Sequence, residues 1–484
     1  MNYRMIRYTL GWLMMFEAGF LLLPLITALC YGEITTFLAF LYAALICLAL
    51  GGLCILKKPE KTTIYAKEGF VIVSLSWIVL SVMGALPFVF SGCTTNFVDA
   101  LFESASGFTT TGSSIFKDVE SLPRAILMWR SFTHWIGGMG VLVFIMAFLP
   151  LGGGQNMHIM RAESPGPEVS KLVPKVKHTA LILYSIYLAL TALQFTTLMI
   201  SGMEFFDALN TAFATAGTGG FGIKNDSLAS FSVTQQIIVT VFMLVFSINF
   251  NSYYLILRLK FRDAFNSEVR AFLIIVAAAI GIITINIYNT YGSIAEALRH
   301  AAFSVASLIS TTGFSTENFD VWPSLAKTVL VLIMFVGACA GSTGGGMKVS
   351  RILIMVKGFI NETFALVHPK QVKKIKLGKR PVDKEVLRSV NAYIACFILV
   401  FATSLLLITL DNHGTDNRDL VTNFTAVAAT INNIGPGLEG VGPASNFADF
   451  SVFSKLVLTF NMIAGRLELF PMLVLLSPAT WKKN

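Results

Sequence analysis

The stretch NFVDALFESASGFTTTGSS (96–114) joins a mildly apolar segment to a Thr/Gly-rich turn. The segment is too short to cross a bilayer, whose hydrocarbon core of about 30 Å needs about 20 apolar residues as helix. Three other stretches repeat the pattern: MEFFDALNTAFATAGTGGFG (203–222), GSIAEALRHAAFSVASLISTTGFS (292–315) and NRDLVTNFTAVAATINNIGPG (417–437). Three copies carry an acid before Ala-Leu, at Asp99, Asp207 and Glu296, and the fourth has Asp419 before Leu420. The turns align on one glycine each, Gly112, Gly220, Gly313 and Gly435, with separations of 108, 93 and 122 residues.

Around these copies lie ten stretches long enough to cross, near 8–30, 37–56, 69–90, 124–149, 178–200, 234–257, 269–289, 325–348, 389–410 and 451–476. Each copy therefore reads as span, half-span, glycine turn, span, with two extra spans ahead of the first. The pattern predicts an all-α polytopic membrane protein. It has four helix–pore-loop–helix repeats around a pseudo-fourfold pore, plus two extra N-terminal transmembrane helices. The divisions fall at 1–68, 69–150, 151–258, 259–357 and 358–484.

Composition agrees. Of 484 residues, 55% are hydrophobic and 13% charged, with a mean hydropathy of +0.71. Soluble chains run at about 45–50% apolar and about 25% charged. A soluble multidomain protein, a disordered chain, a disulfide scaffold and a nucleic-acid binder are excluded, and membrane lipid is the implied partner. The six cysteines form no CxxC pair, and no phosphate loop, metal constellation or nucleophile–base set stands out, so an enzyme has no support. Arg4 and Arg7 precede the first apolar run, which carries Glu17 and lacks a small-residue cleavage site, so it reads as a retained helix.

Of the 36 Lys and Arg, 27 fall on the side of the termini and seven on the other. Basic residues accumulate in cytoplasmic loops, which places both termini in the cytoplasm. Sixteen of 27 acids fall outside, leaving the outer face at −9 and the inner at +18. That reads either as a negative mouth that concentrates cations or as outer loops that merely lack Lys and Arg.

Non-helical backbone at membrane depth must be buried in protein or line a wet cavity. Four such turns around one axis can present rings of carbonyls that replace the water shell of a cation. Glycine reaches φ > 0 cheaply and lets neighbouring carbonyls turn inward. Half-helices whose C-terminal ends face the centre add partial negative charge there, and the acids at their outer ends suit their positive N-termini.

With these turns, the Arg130–Gly140 stretch RSFTHWIGGMG, the Ala340–Lys348 stretch AGSTGGGMK, and Gly465-Arg466, the sequence resembles the bacterial Trk/Ktr/HKT potassium transporter superfamily, in its TrkH-type membrane subunit. The resemblance covers essentially the whole chain. It implies potassium uptake across the bacterial plasma (inner) membrane, with potassium as the ion bound. The implied partners are a second copy in a homodimer and a TrkA-type cytosolic nucleotide-binding regulatory ring; the basic inner loop 348–388 offers either a docking face for that ring or a solvated positive-inside loop. By position, the selectivity filter falls on Thr110, Thr111 and Gly112; Thr218, Gly219 and Gly220; Thr311, Thr312 and Gly313; and Asn433, Ile434 and Gly435. Repeat two departs with Gly219 and repeat four with Asn433.

Gly341, Ser342, Thr343, Gly344, Gly345 and Gly346 interrupt the eighth span. Glycine costs about 1 kcal/mol relative to Ala in a helix, so the run reads as a break or as close small-residue packing. In the family it corresponds to an intramembrane gating loop. Arg466, deep in the last span, reads as functional or paired, and the resemblance puts it on the pore beneath the filter. Arg130 reads as a salt-bridge partner of Glu103, and His134 as a packed core histidine. The competing function is a proton- or sodium-coupled cation carrier with alternating access.

Overall fold

In a computed structural model the chain is described over residues 1–60, 65–140, 176–368, 375–378, 380–411 and 418–482. Its N-terminal pair consists of a span from Tyr3 to Tyr31, notched after Phe20, and the helix Ile34–Ile55. The two cross where both lack side chains. A methyl group on Gly11 would lie 2.9 Å from the Gly51 carbonyl oxygen, and one on Gly51 would lie 2.9 Å from that of Gly11. Small residues allow this approach, which gives van der Waals contact in a solvent that supplies no hydrophobic drive between helices.

Four repeats follow, all-helical in each case. Their outer helices are Ala66–Phe90, Val176–Ile200, Ser267–Tyr291 and Lys384–Leu410. The helices expected as pore helices are Phe97–Phe108, Phe205–Gly217, Ile294–Ile309 and Leu420–Ile431. Local chemistry sets their starts. Asn96 accepts a hydrogen bond from Val98 N at 2.9 Å, and Asp419 one from Thr422 N at 2.8 Å. Asp99, Asp207 and Glu296 each occupy a first turn, where the helix dipole favours an acid.

The second helices differ from the expected spans 124–149, 234–257, 325–348 and 451–476. They are Arg124–Gly138, Val233–Phe246, Ser324–Val336 and Val452–Arg466, of 15, 14, 13 and 15 residues. At 1.5 Å per residue each is about 20 Å long and stops short of a core of about 30 Å. In repeat two the chain bends by 92° at Ser247–Asn249 and resumes as Phe250–Leu257. The third stays unwound from Gly337 to Lys348 before Val349–Val367. Repeat four breaks at Glu468 and Leu469, both at positive φ (54° and 68°), before Phe470–Leu476. In repeat one Gly140 has φ 80°, and the rest of the expected span, 141–149, lies outside the described residues.

Among the described residues, six helices are long and apolar enough to cross a membrane, with the bent pair as a seventh. Their outward faces are aliphatic: Ile274, Ile285 and Leu399 are 67%, 80% and 66% exposed. Aromatic groups such as Trp77, Trp129, Phe102 and Phe303 fill the interior. Of the stretch 348–388, the described residues form the helix Val349–Val367, a small hairpin that pairs Lys376 with Pro381 and Leu377 with Arg380, and the start of Lys384–Leu410.

Candidate functional site

The four pore helices end alike. The amides of Thr111, Gly219, Thr312 and Ile434 donate to the carbonyls five residues back, on Ser106, Ala214, Ser307 and Ala429, at 2.8–2.9 Å. Thr110, Thr218, Thr311 and Asn433 donate three residues back, to Gly107, Thr215, Leu308 and Thr430. This is the Schellman arrangement, which needs a left-handed residue at its turn. Here that residue is not glycine: Thr110, Thr218, Thr311 and Asn433 have φ of 56°, 55°, 60° and 54°. A left-handed β-branched residue costs on the order of 1–3 kcal/mol, held only by surroundings that over-determine it. Two residues on, Gly112, Gly220, Gly313 and Gly435 have φ of 81°, 74°, 90° and 99°.

The turns meet and close a circle. A methyl group on Gly112 would strike the Gly219 carbonyl oxygen, one on Gly220 that of Thr312, and one on Gly313 that of Ile434. The fourth returns to the first, since a methyl on Gly435 would lie 2.8 Å from the Thr111 carbonyl oxygen. Every repeat thus lays its glycine against the middle residue of the next. All twelve expected filter residues lie in this circle. Among the described residues, no hydrogen-bond donor reaches the carbonyls of 110–112, 218–220, 311–313, 433 or 434; Gly435 O accepts from Ser113 Oγ at 3.1 Å. Buried carbonyls need a partner, and here a dehydrated cation or water is the partner that fits.

Hydroxyl pairs set the middle residues from behind. Thr111 Oγ1 lies 2.8 Å from Thr109 Oγ1, and Thr312 Oγ1 lies 2.6 Å from Ser310 Oγ. Asn433 explains its own departure from threonine: Nδ2 donates to Thr111 Oγ1 at 2.9 Å and to Met462 O at 2.8 Å, sewing repeat four to repeat one. Gly219 is explained by His134. A methyl group on Gly219 would overlap the imidazole ring. That ring is fixed by Nδ1 at 2.8 Å from Gly107 O and by Nε2, which accepts from Phe221 N at 3.2 Å. Both nitrogens are thereby used in packing. Overpacking a filled site costs about 1–3 kcal/mol. Gly219→Ala is therefore expected to lower stability by that amount in detergent melts, and adding His134→Ala to recover much of it.

Arg130 and Glu103 form a second support, with Nε 2.8 Å from Oε1 and both side chains buried. Arg130 also donates to Gly222 O at 3.1 Å and to Ser114 Oγ at 3.1 Å, while Glu103 accepts from Ile115 N at 2.9 Å. The pair clamps the chain leaving the first and second turns.

Outside the circle is a cavity of about 130 Å³ lined by all four glycines, Gly112, Gly220, Gly313 and Gly435. Among the described residues its charged lining is Lys117, Lys224 and Arg130, with no carboxylate. Acids stand beside this lining, where Asp449 binds Lys117 at 2.6 Å and Asp118 accepts from Asn225 at 2.8 Å. Asn225 holds the Asp118 carboxyl below its ordinary range.

Beneath the circle the 341–346 loop is unwound, as the glycines suggested, and not continuous helix. It touches repeat two, the turn of its own repeat and repeat four. Thr343 Oγ1 donates to Phe246 O at 3.1 Å, Gly345 N to Thr311 Oγ1 at 2.5 Å, and Gly346 N to Asn432 O at 3.0 Å. Gly341 O accepts from Phe250 N at 3.0 Å, and Ser342 Oγ donates to Cys339 O at 2.7 Å. Gly344 is buried against Ser310 and Ala338. Arg466 completes the set: it donates to Thr343 O at 2.8 Å, Thr110 Oγ1 at 3.2 Å, Gly137 O at 2.5 Å and Gly138 O at 2.8 Å. The guanidinium joins loop, filter turn and the cut end of the first repeat's second helix.

Comparison with known proteins matches this architecture. A family model described as a cation transport protein, TrkH, matches residues 37–483. The chain belongs to the TrkH family. It is 37% identical over 494 residues to the Trk system potassium uptake protein TrkH of Escherichia coli K12, covering 100% of both chains. It is 32% identical to TrkG of the same organism, with 99% of each covered. The crystal structure of the potassium transporter TrkH from Vibrio parahaemolyticus matches it with a TM-score of 0.89 at 33% identity, over 100% of both chains. The resemblance drawn from the turns is correct. As a TrkH-family member the chain is a multi-pass membrane transport protein and not an enzyme.

Sequence reasoning missed two features. The left-handed threonines gave no signal, because threonine disfavours that conformation. Nor does the spacing reveal the partner of Glu468, which is Arg351, 117 positions earlier.

Proposed function

We propose that this chain is the ion-translocating subunit of a Trk potassium-uptake system, with a channel-like pore. The observation that carries the reading is the closed circle of four glycine turns, in which, among the described residues, every carbonyl but that of Gly435 lacks a donor, beneath an outer cavity. Potassium is the ion named for the TrkH relatives. The circle would strip and bind it through the carbonyls of Thr110, Thr111, Gly112, Thr218, Gly219, Gly220, Thr311, Thr312, Gly313, Asn433, Ile434 and Gly435.

The 341–346 loop and Arg466 act as the gate: the loop fills the space below the circle, and the guanidinium repels an ion there. Opening requires both to move. A homodimer and a TrkA-type regulatory ring on the basic, cytoplasmic side complete the system, with both termini on that side of the inner membrane.

Expression in a bacterium lacking potassium uptake is expected to restore growth at limiting potassium, more strongly with the ring protein than without. In proteoliposomes, single-channel steps support the pore. Flux that needs a proton or sodium gradient and shows no steps would instead support the alternating-access carrier.

A further inference from the structure

Two obstructions lie below the filter on different repeats, the 341–346 loop of the third and Arg466 of the fourth. We propose that the buried ion pair between Arg351 and Glu468 ties them together, so that they enter and leave the pathway as one. The inference rests on the loop-gated reading above.

Each partner is fixed to one obstruction. Arg351 lies in the first turn of Val349–Val367, the helix that leaves the loop, and its Nη1 donates back to Met347 O at 3.2 Å. Lys348, at φ 74°, donates through Nζ to Gly344 O, so loop and helix start form one unit. Glu268 holds the same unit from the outer helix of repeat three, accepting from Ala340 N at 2.7 Å and Ser350 N at 3.2 Å.

Glu468 lies two residues beyond Arg466, in a tight left-handed turn. Glu468 N donates to Gly465 O at 3.0 Å, and Leu469 N to Ala464 O at 2.7 Å. Such a turn has little freedom, so a pull on the Glu468 carboxylate moves the backbone that carries Arg466.

The pair is 9% and 8% exposed, and Tyr393 covers it with its ring 4.2 Å from the Arg351 guanidinium. Removing one partner leaves the other charge buried and unmatched, which favours rearrangement. Arg351 and Glu468 are positioning residues: neither belongs to the filter, and they act on the pathway through Lys348 and Arg466.

The test is potassium flux into proteoliposomes without a regulatory partner. Arg351→Gln and Glu468→Gln are each expected to raise basal flux about fivefold or more, the lower end of ordinary coupling. The double variant is expected to rise no further, and the exchange Arg351→Glu with Glu468→Arg to return toward wild type. The potassium-to-sodium ratio stays unchanged, since the circle is not touched, whereas general loosening would lower it.

Unchanged flux, additive single effects or an unrescued exchange overturns the proposal. Should the exchange variant not yield monodisperse protein, Arg351→Lys decides: near-wild-type basal flux supports the tie, and behaviour like glutamine overturns it. Deleting 341–346 separates the parent reading. If the pore stays closed without the loop, the gate assignment fails; if it opens while the neutralised pairs stay closed, only the tie fails.

Discussion

Replacing Gly220 with alanine is expected to abolish potassium permeation while the protein still folds into the membrane. Strain alone does not produce this result, because Thr218 sits at φ 55° two residues away. What decides is the neighbour. The added methyl group would occupy the place of the Thr312 carbonyl oxygen, a backbone atom that cannot rotate aside. The circle must open between repeats two and three, and carbonyls shifted by about 1 Å no longer replace a hydration shell. Uptake is expected to fall at least about 100-fold, with a stability loss of about 1–3 kcal/mol. Gly92→Ala is the control: its φ is also 74°, but nothing lies within 4 Å of the added methyl. Rubidium uptake by that variant is expected to stay within about twofold of wild type, as for a surface change away from special features. Equal loss in both variants would mean that backbone strain, not the circle, controls transport.

Arg466→Ala is expected to raise basal cation flux at least about tenfold in liposomes without a regulator. Two unit charges about 6 Å apart at an effective dielectric of about 20 repel by about 3 kcal/mol, roughly a hundredfold in ion occupancy. The same change removes the donors to Thr343 O, Gly137 O and Gly138 O, which releases the loop. Arg466→Lys keeps the charge and loses the planar fork that reaches several carbonyls at once, so it falls between alanine and wild type. Selectivity is unchanged in both. Unaltered flux and selectivity in the alanine variant would take Arg466 out of the pathway.

The fold was legible where chemistry repeated. Gly112, Gly220, Gly313 and Gly435 stand at comparable places after half-length apolar segments, and the acids Asp99, Asp207, Glu296 and Asp419 mark where those segments begin. The broken second helices were legible only at Gly341–Gly346. At Ser247–Asn249 and at Glu468–Leu469 no run of glycines marks the break. The break comes from Asn249 starting a new helix, with its side chain accepting from Asn251 N at 2.9 Å, and from two left-handed residues that are not glycine.

The departures from threonine in the four turns could be seen but not explained. Gly219 is small because His134, 85 positions earlier, fills its side-chain space, and Asn433 reaches across to Thr111. The charge at the mouth stayed open for a related reason. Summed loop charge does not say which groups face the cavity, and Lys117 and Lys224 do while the acids stand at the rim.

Rubidium diffraction tests the central claim most directly. Crystals grown in rubidium and measured at its absorption edge are expected to show an anomalous peak on the axis between the four turns, within coordinating reach of carbonyls from every repeat. Peaks confined to other places, with none inside the circle, would contradict the account.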